Sequence, residues 1–184
     1  SACRASMQNI AGISTRISDI LDDAELYDEK EHLKNQIKNC YRLLRCTKNL
    51  EDAFNYSKDY TVNKIFYPKE IVLPLCKVVK MIIKDSDIQF TYDISEESVA
   101  ICADPKKFEN AFLNVLTNAF MYSGSEAKIN VKLETSGDKV TLTVSDDGYG
   151  MSAESVTRCT EMGYTGDNNS EKQGLGLYLA KRFT

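Results

Sequence analysis

Three short groups of residues in this chain have the types and spacing to hold a polar ligand. The first is a pair of amides. Asn114 and Asn118 stand four apart within Asp104–Ser123 (DPKKFENAFLNVLTNAFMYS), where Phe108, Phe112, Val115, Leu116 and Ala119 recur at helical spacing. On a helix both amides leave one flank of that apolar face, and a buried amide without hydrogen bonds is costly, so the pair points to a polar ligand. An isolated NxxxN more often marks the solvated edge of a core helix. The second group is Ser145-Asp146-Asp147-Gly148-Tyr149-Gly150-Met151, at the end of the alternating run Val140, Leu142, Val144. A carboxylate fixed there, Asp146, can accept a hydrogen bond from an exocyclic amine, while Gly148 and Gly150 let the backbone turn and a flat ring approach. The third is Gly174-Leu175-Gly176-Leu177, ahead of a helical pattern that continues through Leu179, Ala180, Lys181 and Arg182. Glycines in that position expose backbone N–H groups which, with the helix dipole, favour phosphate oxygens.

Each group alone is a weak signal, but their order is specific. Together they resemble the nucleotide-binding boxes of the GHKL superfamily, which holds sensor histidine kinases, gyrase-type ATPases, Hsp90 and MutL; the likeness spans about residues 60–184. That resemblance implies ATP and Mg²⁺ as cofactors. It implies that Asn118 ligates the metal, that Asp146 holds the adenine amine, and that Gly148, Gly150, Gly174, Leu175, Gly176 and Leu177 shape the pocket. Asn114 sets the subclass. Gyrase-type ATPases carry a general-base Glu there, whereas histidine kinases usually carry Asn, and an amide cannot take a proton from water as a carboxylate can. The resemblance therefore implies a protein-histidine kinase, with Asn114 in the catalytic machinery, holding ATP for phosphoryl transfer. Three departures stand beside it: Met121 occupies a place where the family often has Lys or His, residues 152–173 lack a Phe-rich motif with Tyr164 as a partial substitute, and the family's two closing strands would follow Thr184.

The elements that position these groups are read from periodicity. Val62–Tyr67 is expected as a first strand stopped by Pro68, followed by a helix over 69–84 in which Pro74 falls near the first turn. Ile88, Phe90 and Tyr92 alternate as a strand, with Val99–Cys102 as its expected hairpin partner. Strands over 126–134 and 138–146 are joined by Thr135-Ser136-Gly137. Residues 152–173 are polar, glycine-bearing and aperiodic, as a mobile lid would be. For residues 59–184 the resemblance implies a two-layer α/β sandwich, with which this alternation agrees.

Residues 1–58 read differently. Met7, Ile10, Ile13, Ile17, Ile20 and Leu21 give one amphipathic helix; Asp28 and Glu31 cap a second, which carries Leu33, Ile37, Cys40, Leu44, Thr47 and Phe54. An antiparallel helical hairpin with so long an apolar seam predicts a homodimer through a four-helix bundle, so the expected class is α+β. The hairpin resembles the dimerisation and phosphotransfer domain of histidine kinases, but residues 1–31 contain no His, where that domain bears its phosphoacceptor. The one His in the chain, His32, is the relocated candidate; its plainer reading is a solvated residue early in a helix. Lys30, Lys34, Lys38 and Arg42 form a basic row fit for an acidic receiver domain, or simply a solvated face.

Composition narrows the rest. A hydrophobic content of 42% supports a core, and a net charge of −4 argues against a nucleic-acid partner. Six cysteines without a CxxC pair predict reduced thiols and no zinc site, and no run is long and apolar enough to cross a bilayer. The segment is expected to make no membrane contact and to be cytoplasmic, by itself or as the cytoplasmic part of a longer membrane-attached sensor whose membrane segment would lie upstream of residue 1. The alternatives to a kinase are a nucleotide-sensing scaffold without catalysis and, further off, a serine-kinase, anti-sigma-type or hydrolytic member of the superfamily.

Overall fold

The computed structural model describes residues 62–83, 87–97, 99–124, 126–166 and 174–183, with eight helical positions between 9 and 20. Most of the expected hairpin, and His32, lie outside the described residues. Of its first helix, residues 9, 10, 12, 13, 16, 17, 19 and 20 are helical, and Ile13, Ile17 and Ile20 are exposed in the single chain.

The remainder runs β1 (Lys64–Phe66), α1 (Pro68–Ile82), β2 (Gln89–Ile94), β3 (Ile101–Ala103), α2 (Pro105–Met121), β4 (Lys128–Ser136), β5 (Lys139–Asp146), α3 (Ala153–Arg158) and α4 (Gly176–Phe183). A three-stranded sheet has the order β2-β4-β5, with β2 parallel to β4 and β4 antiparallel to β5; β1 and β3 form a separate antiparallel pair. The β4–β5 hairpin is as expected, but β4 runs on to Ser136 and the turn is Gly137-Asp138, with Gly137 at φ 58°.

The expected pairing of the strand at Ile88–Tyr92 with Val99–Cys102 does not occur. Instead β3 pairs with β1, Cys102 opposite Ile65, and β2 lies beside β4 with Phe90 opposite Ile129 and Ile94 opposite Leu133. Between β2 and β4 the chain passes through α2, which makes a parallel crossover possible. Alternation identifies a strand but not its neighbour; the inner residues of β2 are buried only when they share a face with those of β4.

One face of the sheet is apolar and covered by α1 and α2. Val72, Leu75 and Cys76 of α1, Phe112 and Leu116 of α2, and Ile129, Val131 and Leu133 of β4 form one cluster. Burial pushes the Cys76 thiol up to about 12, so it remains protonated and inert. The other face is polar, with Asn130 Nδ2 donating to Thr91 Oγ1 at 2.8 Å and Lys132 pairing with Glu134 at 2.7 Å. Sheet and helices thus make two layers among the described elements. Helix α1 begins at Pro68, and Pro74 lies in its second turn rather than near the first as expected. The ring forfeits the donor that would reach the carbonyl of residue 70, yet the helix persists because Ile71, Val72, Leu75, Cys76 and Val78 are buried along it. No helix among the described residues is long and apolar enough to cross a membrane.

Candidate nucleotide site

The site is built on α2. Asp104 caps it, its Oδ1 accepting from Lys106 N at 2.9 Å and Lys107 N at 3.3 Å, and Pro105 opens the first turn without wasting a donor. The edge-to-face pair Phe66–Phe108, 5.6 Å between centroids, ties the start of this helix to β1. Asn114 is buried at 2% exposure, and Asn118, one turn later, is half-buried. The amides therefore differ in setting, although both lie on the expected helix.

The glycine–leucine box rests on the first amide. An ideal Cβ on Gly176 would stand 3.5 Å from Asn114 Oδ1, ordinary contact distance. Leu175, Leu179 and Ala180 are buried and anchor α4 alongside α2, while Leu177 is half-buried. Gly174 has φ 60°, which an L side chain rarely adopts.

The Asp146 loop docks one turn beyond Asn118. Tyr122 N–H donates to the Asn118 carbonyl at 3.0 Å, and the Tyr122 carbonyl accepts from Tyr149 N–H at 3.1 Å. A Cβ on Gly148 would lie 2.3 Å from that same carbonyl oxygen, so only glycine permits the approach. Asp146 is exposed, and its Oδ1 accepts from Gly148 N–H at 3.1 Å, which orients the carboxylate. Asp147 extends the β4–β5 ladder: its N–H reaches the Lys128 carbonyl at 3.2 Å and its Oδ1 accepts from Lys128 N–H at 2.6 Å. Gly150, at φ 69°, has open space where its Cβ would be.

The three groups thus meet along the C-terminal half of one helix, at Asn114, at Asn118 and just past its end. Asp146 and Gly150 are both exposed. The expectation for residues 152–173 needs correction, because Ala153–Arg158 is a helix, capped by Ser152 Oγ accepting from Ser155 N–H at 3.1 Å. Its six residues are too few for periodicity to reveal. Residues 167–173 lie outside the described residues. Sequence reasoning also missed the Tyr122 carbonyl, since a backbone contact leaves no mark on residue type, and it missed Asp147. It overlooked Arg158, whose spacing from Glu154 and Glu161 was the available signal. Those two carboxylates, Glu161 first, raise the Arg158 pKa through hydrogen bonds of 3.1 Å each.

Comparison with known proteins agrees with this arrangement. Residues 103–184 match the model of the histidine kinase-, DNA gyrase B- and HSP90-like ATPase family. The heme sensor protein HssS of Staphylococcus saprophyticus is 36% identical over 85 residues, covering 46% of this chain and 18% of HssS. The adaptive-response sensory kinase SasA of Rippkaea orientalis is 27% identical over 157 residues, covering 82% of this chain and 40% of SasA. The chain therefore spans less than half the length of either relative. Among solved structures, the mycobacterial sensor histidine kinase MprB superposes with a TM-score of 0.56 at 23% identity, over 66% of this chain and 78% of that one. The Acinetobacter baumannii histidine kinase AdeS gives 0.56 at 18% identity, over 91% and 81%. With these likenesses and the three groups gathered on α2, residues 103–184 are an ATPase domain of the histidine kinase-, DNA gyrase B- and HSP90-like family, of the kind found in sensor histidine kinases.

Proposed function

We propose that the chain is the ATP-binding core of a sensor histidine kinase and holds Mg-ATP for transfer of the γ-phosphoryl group to a protein histidine. The observation that carries this reading is the attachment of all three groups to α2, with an amide rather than a carboxylate at position 114. On this reading Asp146, its carboxylate set by Gly148 N–H, accepts from the adenine amine. Gly148 and Gly150 leave the ring room. Gly174, Leu175, Gly176 and Leu177 hold the phosphates, with backbone N–H groups at the start of α4 turned to their charge. Asn118 offers an amide oxygen, a hard ligand suited to magnesium, which when bound neutralises charge on the phosphates. Phosphate oxygens and water would complete its shell, as is usual for magnesium held by one or two protein groups beside a nucleotide. Asn114, buried under Gly176, fixes the box and offers no base to activate water.

The acceptor is His32 or a histidine of a partner, since residues 1–31 contain none. The hairpin of residues 1–58 pairs two chains, which would cover the exposed Ile13, Ile17 and Ile20. An acidic receiver domain is the matching partner for its basic row, in the cytoplasm. The missing His on the first helix, and Met121 where a cation is usual, favour a second reading in which the chain binds nucleotide and a regulator but transfers nothing. Incubation with γ-labelled ATP separates the two. Acid-labile, base-stable label that disappears in His32→Ala, or that passes to a receiver domain, supports the kinase; no label on either protein supports the scaffold.

A further inference from the structure

Arg158 and Tyr164 belong to none of the three groups, yet the structure fastens them to one another and to the first glycine of the box. The Arg158 guanidinium carbon lies 4.5 Å from the Tyr164 ring centroid. It is aimed there by Glu154 and Glu161, each at 3.1 Å. The Tyr164 hydroxyl shares a hydrogen bond of 3.1 Å with Ser155 Oγ. Ring and hydroxyl are thus both bound to α3, which leaves the side chain one place to be. The backbone carries that constraint onward. Gly163 N–H donates to the Gly174 carbonyl at 3.1 Å. A Cβ on Gly174 would lie 2.4 Å from Gly163 C and 2.6 and 2.7 Å from Tyr164 O and N. Gly174 is therefore seated directly on the Gly163–Tyr164 peptide. Lys181 Nζ, on α4, reaches Thr160 Oγ1 at 3.2 Å and ties the same turn to the helix that follows the box.

We infer that Arg158 and Tyr164 are positioning residues that hold the backbone of Gly174, and with it the glycine–leucine box, in the form that receives phosphate; this rests on the function proposed above. A glycine at positive φ has many other conformations, and a binding loop that must be ordered by its ligand loses affinity to that ordering. The Tyr164 peptide supplies the wall that removes those alternatives. The adenine end is attached elsewhere, through Gly148 and Tyr149 to Tyr122. Loosening the clasp should therefore weaken binding of the phosphates and spare that of the base.

Calorimetric titration of the full chain with ATP and with adenosine, both in magnesium, tests this. Tyr164→Ala and Arg158→Ala should each raise the Kd for ATP about fivefold, the scale of a lost cation–π contact, while the Kd for adenosine stays unchanged. The double variant should cost little more than the worse single one, because both act through one ring. Tyr164→Phe keeps the ring under the cation and Arg158→Lys keeps a cation without the two-carboxylate fork, so both should fall between wild type and alanine. Equal loss of ATP and adenosine, or no loss of either, overturns the inference. A wild-type chain that binds neither nucleotide overturns the proposed function and, with it, this inference.

Discussion

A methyl group at Gly148 would stand 2.3 Å from the Tyr122 carbonyl oxygen, whereas one at Gly150 would meet nothing within 4 Å and only strain a φ of 69°. The two glycines of one motif thus carry different burdens, close approach at the first and backbone conformation at the second. Gly148→Ala must push the Asp146 loop off the end of α2, an overpacking cost of about 1–3 kcal/mol, while Gly150→Ala should cost about 1 kcal/mol. Urea denaturation of the two variants checks that order, and ATP affinity should fall further in the first because the carboxylate moves with its loop. An equal loss of stability in both would mean that the loop's place is not set by Tyr122. From sequence the glycines are visible as a turn at the end of a strand. Which of them is pressed against backbone is not, because carbonyl groups are the same in every residue.

Helix α2 was legible from end to end. Its Asp-Pro start, its apolar spacing and its paired amides are all local signals, and the Asp104 cap forms as that composition predicts. Asp104 also accepts weakly from Val62 N–H at 3.4 Å, so one side chain both starts the helix and touches the segment leading into β1. Asp104→Ala should lower stability by about 1 kcal/mol and Asp104→Asn by much less, since either side chain can cap. A matching denaturation series, with ATP affinity unchanged because the cap lies some ten residues from Asn114, would place the effect at the helix start alone. Other elements were legible only in part. The alternation in Ile88–Tyr92 marks β2, but its partner across a parallel crossover is set by which apolar face fits which, a property of the assembled layers. Pro74 was read as tolerable near a helix start; it is tolerated in the second turn because burial of the surrounding side chains outweighs one missing hydrogen bond.

At the scale of the molecule, the three groups come from segments some 30 residues apart and share only their attachment to α2. A ligand that contacts all three binds the folded chain and not the unfolded one, so it must stabilise the whole layer pair by mass action. With Mg-ATP at a hundredfold excess over its Kd the gain is about 2.7 kcal/mol, which for a domain of this size corresponds to a rise in Tm of about 10 °C. Because the proposed route from Asn118 to the phosphates runs through the metal, chelation with EDTA should remove most of that rise in the wild-type chain. It should remove almost nothing further from Asn118→Ala, whose behaviour in magnesium should match that of wild type in EDTA. Adenosine, which needs only the Asp146 end, should give a small shift insensitive to EDTA in both proteins. An Asn118→Ala chain that keeps the full magnesium-dependent rise would show that the metal is held by other groups, leaving the amide a structural part of α2.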